Sequence, residues 1–356
     1  MLVTIRSEGG GRMQRVTRHQ ARERKGRRVI ALISSVIAIP CLLMNSARAD
    51  ESGISFWLPG LNGSLAAAPA VPGWSWATLY YHTSVDASRS AKFTDGGSVV
   101  AGLRGQADLG IFGPTYTFAT PVLGAQAAVS VLGIAGRSQA SIDATLTGPM
   151  GGSISGSRTD TVTGFGDIVP QVSLKWNNGV NNFMWYGAGG IPVGAYQEGR
   201  LANVGIGHGA IDSGFGYTYF NPQSGNEFSA VLGATYNFKN TYTQYQNGID
   251  LHLDLGASHF VTKQWMVGLV GYYFQQLTAD SGQGAVLGDF KSRVAGIGPQ
   301  IGYLFPINGM QGYINVKGYK EFAAENRPEG WNLWLTFQIS PAAPEPGSPA
   351  RQLVTK

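Results

Sequence analysis

The chain has a single cysteine, Cys41, among its 356 residues. No intramolecular disulfide can form, which excludes a small secreted fold held by a cystine framework. Charged residues make up only 13% of the sequence, about half the share carried by an ordinary soluble domain. After Met44 no stretch approaches the roughly 18 consecutive apolar residues that a transmembrane helix needs, so a helical membrane protein is excluded as well. Histidine is scarce, with five copies, and none stand at the close spacing of a zinc site. Neither a metal nor a cofactor is expected, and no nucleic-acid-binding signature is present. Glycine, by contrast, is abundant at 51 residues, and aromatic side chains reach 11%.

The N-terminus reads as a targeting segment. Residues 1–28 carry nine Lys or Arg, an apolar run extends from Val29 to Met44, and Ala47-Arg48-Ala49 supplies the small-x-small pattern of a signal peptidase site. Residues 1–49 are therefore expected to be a cleaved signal peptide, with Met13 as a second candidate start. The apolar run is too short for an anchor helix, and Pro40 before Cys41 argues against lipid attachment. Ten of the 26 basic residues but only two of the 21 acidic ones precede Asp50, which leaves the remainder at net −3. The high whole-chain pI thus reports the leader and gives no reason to expect an anionic partner.

From Trp74 onward the chain repeatedly alternates apolar and polar side chains with period two, the mark of strands whose two faces meet different surroundings. From Ile249 to Ala257, Ile249, Leu251, Leu253, Leu255 and Ala257 point one way and Asp250, His252 and Asp254 the other. Similar segments predict twelve strands, at 74–84, 98–113, 125–147 (with shortening expected), 166–177, 182–196, 210–220, 227–238, 249–261, 264–277, 290–305, 311–323 and 331–340. The connections alternate in character. Long ones are expected at 85–97, 148–165, 197–209, 239–248 and 278–289, with a shorter one at 324–330. Tight turns are expected at Thr120–Gly124, Asn177–Gly179, Asn221-Pro222, Thr262-Lys263 and Pro306–Gly309. Short periplasmic turns and long external loops in alternation are the habit of outer-membrane barrels. An even strand count then places both termini on the periplasmic side, and a closed barrel needs no disulfide to satisfy its backbone. Trp74, Trp76, Trp176, Trp185, Tyr186, Trp265 and Trp331 fall near strand ends, as interfacial aromatics do. A soluble β-sandwich would show the same alternation with the faces exchanged; the leader and the connection pattern favour the barrel.

Two segments lie outside this pattern. Residues 50–73, with Phe56-Trp57-Leu58-Pro59 near their start, are too irregular for a strand and are expected to enter the lumen as a plug or gate. The Pro-rich tail, 341–356, is expected to be disordered. On the polar faces of the strands, Lys175, Asp250, His252, Asp254, Lys317 and Glu321 are expected to line the lumen, where charges pair and tune passage.

The stretch Ser52–Gly60, with Gly63-Ser64-Leu65-Ala66-Ala67, Pro72-Gly73-Trp74 and Tyr80-Tyr81-His82, resembles the meta-pathway phenol degradation proteins. Gly164-Phe165-Gly166-Asp167 with Pro170, and the closing Gly330-Trp331-Asn332-Leu333-Trp334, are similar to the same family. The resemblance covers nearly all of the chain after the leader. It implies an outer-membrane barrel of a Gram-negative bacterium that admits aromatic or other hydrophobic compounds, and its motifs identify no substrate.

Three constellations bear on chemistry. His82 and Ser84 stand two apart on one strand face, similar to the His and Ser of outer-membrane phospholipases, but Val85 and Asp86 do not continue that pattern. Asp250, His252 and Asp254 could hold a metal or a proton, yet neighbours on one strand face are about 7 Å apart, and simple lumen lining is favoured. Gly205–Gly209 is glycine-rich but has no helix after it to complete a phosphate loop. The sequence points to an all-β transmembrane antiparallel barrel over residues 74–340, acting without catalysis as a channel for passive uptake of small hydrophobic or aromatic compounds. Its expected partners are that solute, outer-membrane lipids and the barrel assembly machinery. The alternatives are a lipid hydrolase using His82 and Ser84, and a structural barrel with a sealed lumen.

Overall fold

The computed structural model describes residues 55–92, 98–285 and 291–343. The expected signal peptide and most of the expected tail lie outside them. Twelve strands are present: β1 Gly73–Lys92, β2 Ser98–Thr117, β3 Gln126–Thr147, β4 Ser153–Asn178, β5 Asn181–Gly190, β6 Ala210–Asn221, β7 Asn226–Asn237, β8 Asp250–Phe260, β9 Trp265–Gln276, β10 Arg293–Ile307, β11 Met310–Glu325 and β12 Glu329–Pro341. Each pairs antiparallel with its sequence neighbours, and β1 closes on β12 from Trp76↔Ile339 to Asp86↔Glu329. Closure leaves no edge strand along the common height of the wall.

Side-chain parity shows which face is inside. On β8, Asp250, His252 and Asp254 are at most 1% exposed, while the leucines between them face outward and are only partly covered. The outer surface carries Phe215, Phe228, Leu232, Leu269, Ile297, Ile301 and Leu335. A soluble sandwich would bury this set and expose the carboxylates. Trp74, Trp76, Trp265 and Trp331 are exposed on the outer face as interfacial aromatics should be. Tyr186 is not among them: on β5 Phe183 faces outward, so Tyr186 points into the barrel and is buried.

The turns form where their residues require them. Asn308-Gly309, both at positive φ, close the β10–β11 hairpin as a two-residue connection whose twist suits the flanking strands. The long connections differ from the sequence expectation. Residues 85–92 belong to β1, residues 153–165 belong to β4, and β3 keeps its full length of 22 residues. The Ser/Thr/Gly composition of 148–165 looks like a loop, yet its side chains alternate across a sheet pairing with β3 from Thr147↔Ser153 onward. β1 to β4 therefore extend beyond β5 at the end of the barrel that carries the long connections, here the loop end.

β5 stops at Gly190, short of the expected 196. Pro192 has no N–H to continue a ladder, and the next connection, residues 191–209, is captured by β4. There Gly166 and Asp167 form a bulge opposite Ile134, between Ala135↔Phe165 and Gly133↔Ile168. The bulge frees the Asp167 carboxylate to accept from the N–H groups of Gly194 and Ile206, both at 2.9 Å.

Candidate functional site

Residues 55–68 run inside the barrel, and the geometry there is set by two tight turns. In Leu58-Pro59-Gly60-Leu61, the Leu61 N–H donates to the Leu58 carbonyl at 3.1 Å and Gly60 has φ 83°, the proline-then-glycine arrangement of a type II turn. A Cβ on Gly60 would sit 2.8 Å from the Tyr319 ring, so no other residue fits this position without movement. A second turn, closed by Ala68 N–H to the Leu65 carbonyl at 3.0 Å, places Leu65 at φ 66°.

The barrel wall grips this segment through its backbone. Asp254 accepts from the N–H groups of Gly60 (3.0 Å) and Asn62 (3.1 Å), and Glu227 accepts from Leu65 N–H at 2.9 Å. Lys317 donates to the carbonyls of Gly60, Leu61 and Asn62 at 2.7 to 3.2 Å, and Lys175 donates to those of Ala66 and Ala68, both at 2.9 Å. Thr218 accepts from Ala67 N–H, while Ser258 and Gln300 both donate to the Ser64 hydroxyl. Carboxylates thus take N–H groups of the segment and lysines take its carbonyls, so each kind of charge meets the backbone group that can bond it. Charge-assisted bonds of this kind contribute about 1.5–3 kcal/mol each. Gly256 makes the approach possible, since a Cβ there would lie 2.6 Å from the Ser64 nitrogen.

The sequence-expected gate residues separate in role. Trp57 lies flat on His252, ring centres 3.9 Å apart and planes 12° apart, with Tyr186 6.0 Å away. Leu58 packs against the aromatic cluster of Tyr81, Tyr272, Phe274, Tyr319 and Trp334. Phe56 lies against Gly190 at the end of β5, and Pro59 sets the first turn. Of the expected lumen residues, Lys175, Asp254 and Lys317 hold the inner segment directly. His252 is held by Asp212 at 2.8 Å and supports Trp57. Asp250 accepts from the Asn237 amide at 2.8 Å, and Glu321 accepts from Tyr272 OH and Gly330 N–H. These last two knit strands together away from the inner segment. Among the described residues no group of three or more His, Cys, Asp or Glu could hold a metal ion.

Sequence reasoning missed Glu227, Thr218, Gln300, Asp212 and Tyr186. Glu227 and Asp212 carried a usable signal, a carboxylate on the polar face of an otherwise outward-apolar strand. The hydroxyl and amide groups carried none, because such residues occupy both faces of these strands.

His82 and Ser84 face outward on β1. His82 Nδ1 meets Asp108 Oδ1 at 2.7 Å, and Tyr80 OH donates to the same carboxylate oxygen at 2.6 Å. Asp108 is therefore the third polar group that a His–Ser pair would need. No hydrogen bond joins Ser84 to His82 among those described, so the base does not engage the hydroxyl that would act as nucleophile.

A family model described as "Putative MetA-pathway of phenol degradation" matches residues 88–337. Among solved structures, the chain is similar to an outer membrane channel from Pseudomonas putida F1, at 14% identity and TM-score 0.57, covering 77% of this chain and 98% of that one. A more distant likeness is to the transport unit of the autotransporter AIDA-I from Escherichia coli, at 11% identity and TM-score 0.40, covering 84% and 97%. At these identities the likeness is one of fold. No curated protein matches the chain.

Proposed function

The chain belongs to the MetA-pathway phenol degradation family, and on that premise we propose that it is an outer-membrane channel for passive uptake of small hydrophobic or aromatic compounds, with residues 50–73 as its plug. Both termini are periplasmic in this reading and the loop end faces outward. The observation that carries it is the plug's attachment: Asp254, Glu227, Lys175 and Lys317 bind its backbone rather than its side chains. Those four groups would regain water if the segment moved, so the exchange costs far less than uncovering charges in a dry core. A wall of twelve strands encloses less space than the 16–18-stranded water-filled porins, which suits small solutes. The solute would enter at the loop end, pass the aromatic cluster that Leu58 joins and the Trp57–His252 stack, and leave inward or sideways.

Two rivals stand against this. A sealed structural barrel would conduct no ions even without its inner segment. A lipid hydrolase would need Ser84, and the missing Ser84–His82 contact weighs against it. The test is planar-bilayer conductance of the heat-modifiable, refolded barrel with and without residues 50–73, together with uptake of a neutral aromatic such as phenol into vesicles. Larger conductance and faster uptake after deletion support a plugged channel. An unchanged, silent barrel overturns it.

A further inference from the structure

Most charged side chains inside the barrel are matched by a specific partner, as burial requires. Arg327 departs from that rule. It sits in the β11–β12 connection at the loop end, and its guanidinium lies over the Phe274 ring, 5.1 Å from the ring centre. Its Nε and Nη1 atoms are buried without any hydrogen-bond partner. The neighbouring carboxylates are committed elsewhere. Glu321 serves Tyr272 and Gly330, Glu325 pairs with Arg293 at 3.1 Å, and Glu329 accepts from Ala324 N–H.

The backbone around Arg327 is restrained on both sides. Asn326 holds φ 54° and donates its amide to the Lys291 carbonyl at 3.0 Å, and Pro328 fixes its own φ and narrows that of the residue before it. A cation held in place against an aromatic surface, with N–H groups lacking acceptors, is prepared for an anion. A water molecule would satisfy a hydrogen bond but bring no charge to the guanidinium. A carboxylate answers both, and guanidinium suits it better than an ammonium would. The adjoining cluster of Tyr81, Tyr272 and Phe274 provides surroundings for a ring.

We propose that Arg327 is an anion-recognition residue at the loop end of the lumen, taking the carboxylate of an aromatic acid of the benzoate class. As a step in uptake the proposal rests on the channel reading above; as a binding site it can be tested separately. The full barrel, refolded in detergent and checked for heat-modifiability, is titrated with benzoate and with phenol by calorimetry. The wild type is compared with Arg327→Gln and Arg327→Lys, and phenol uptake into vesicles is measured alongside. The expected result is benzoate binding that weakens at least about tenfold in Arg327→Gln, partly returns in Arg327→Lys, and leaves phenol uptake within about twofold. Benzoate binding that is absent in the wild type, or equal in Arg327→Gln, overturns the proposal. So does an equal loss of benzoate and phenol binding, which would assign a neutral hydroxyl contact instead. Benzoate binding that depends on Arg327 in a barrel passing no phenol would support the anion site and overturn the channel.

Discussion

The indole of Trp57 lies face to face with the imidazole of His252, 3.9 Å between ring centres, and Asp212 holds the Nε2 edge of that imidazole at 2.8 Å. One ring comes from the inner segment and the other from the wall, so the stack joins the two through their side chains. Trp57→Ala removes the larger ring without touching a wall hydrogen bond. It should raise single-channel conductance and phenol uptake by severalfold while leaving the thermal unfolding of the barrel unchanged. Equal conductance in the variant would remove Trp57 from the narrowest part of the path.

Lys317 holds three successive carbonyls of the inner segment. Lys317→Gln keeps part of the side chain's length and loses the charge. With a charge-assisted contact contributing about 1.5–3 kcal/mol, the plug should be released about tenfold or more often. Limited proteolysis of residues 55–72 in the folded barrel reads this directly. A cleavage rate equal to that of the wild type would show that the remaining contacts suffice.

Gly60 combines a left-handed backbone with a ring 2.8 Å from where its Cβ would be. Gly60→Ala should loosen the plug by roughly 1–2 kcal/mol and raise open-channel noise in bilayer recordings. The same substitution at Gly179, also left-handed but with nothing near its Cβ, serves as the control and should leave the recordings unaltered.

Asp167 secures residues 191–209 by accepting two backbone N–H groups. Asp167→Ala leaves both donors to find water. Protease cutting within 191–209 should rise at least about tenfold, as expected when a carboxylate contact of this strength is lost. Conversely, Asp167→Asn should retain part of the protection, because the amide oxygen still accepts.

Ser84→Ala should leave any lipid hydrolysis by the purified barrel at background, as in the wild type. Activity present in the wild type and abolished by this change would instead make Ser84, His82 and Asp108 a working site on the outer face.

The alternation of Leu251, Leu253 and Leu255 with Asp250, His252 and Asp254 was enough to read a two-faced strand, and twelve such segments with short turns between them were enough to read a barrel. Period-two patterning is local, so it survives in one dimension. The same locality explains the errors. Residues 153–165 look like a loop because Ser, Thr and Gly fill most of their positions and the stretch is largely exposed, so no apolar stripe marks them. Tyr186 looks like an interfacial ring because aromatic content says nothing of parity until the neighbouring strand is placed.

The sequence by itself determined the class of fold, the polar inner face of β8, and the irregularity of residues 50–73. Only the tertiary structure decided which inward charges meet that segment. Lys317 and Gly60 are 257 positions apart, and Lys175 and Ala66 109. Such pairs depend on how the barrel closes and on the register of each strand, and no local pattern encodes that. For the same reason the sequence does not tell that the folded chain gives Lys175 two carbonyls and leaves the buried Nε and Nη1 of Arg327 without a partner.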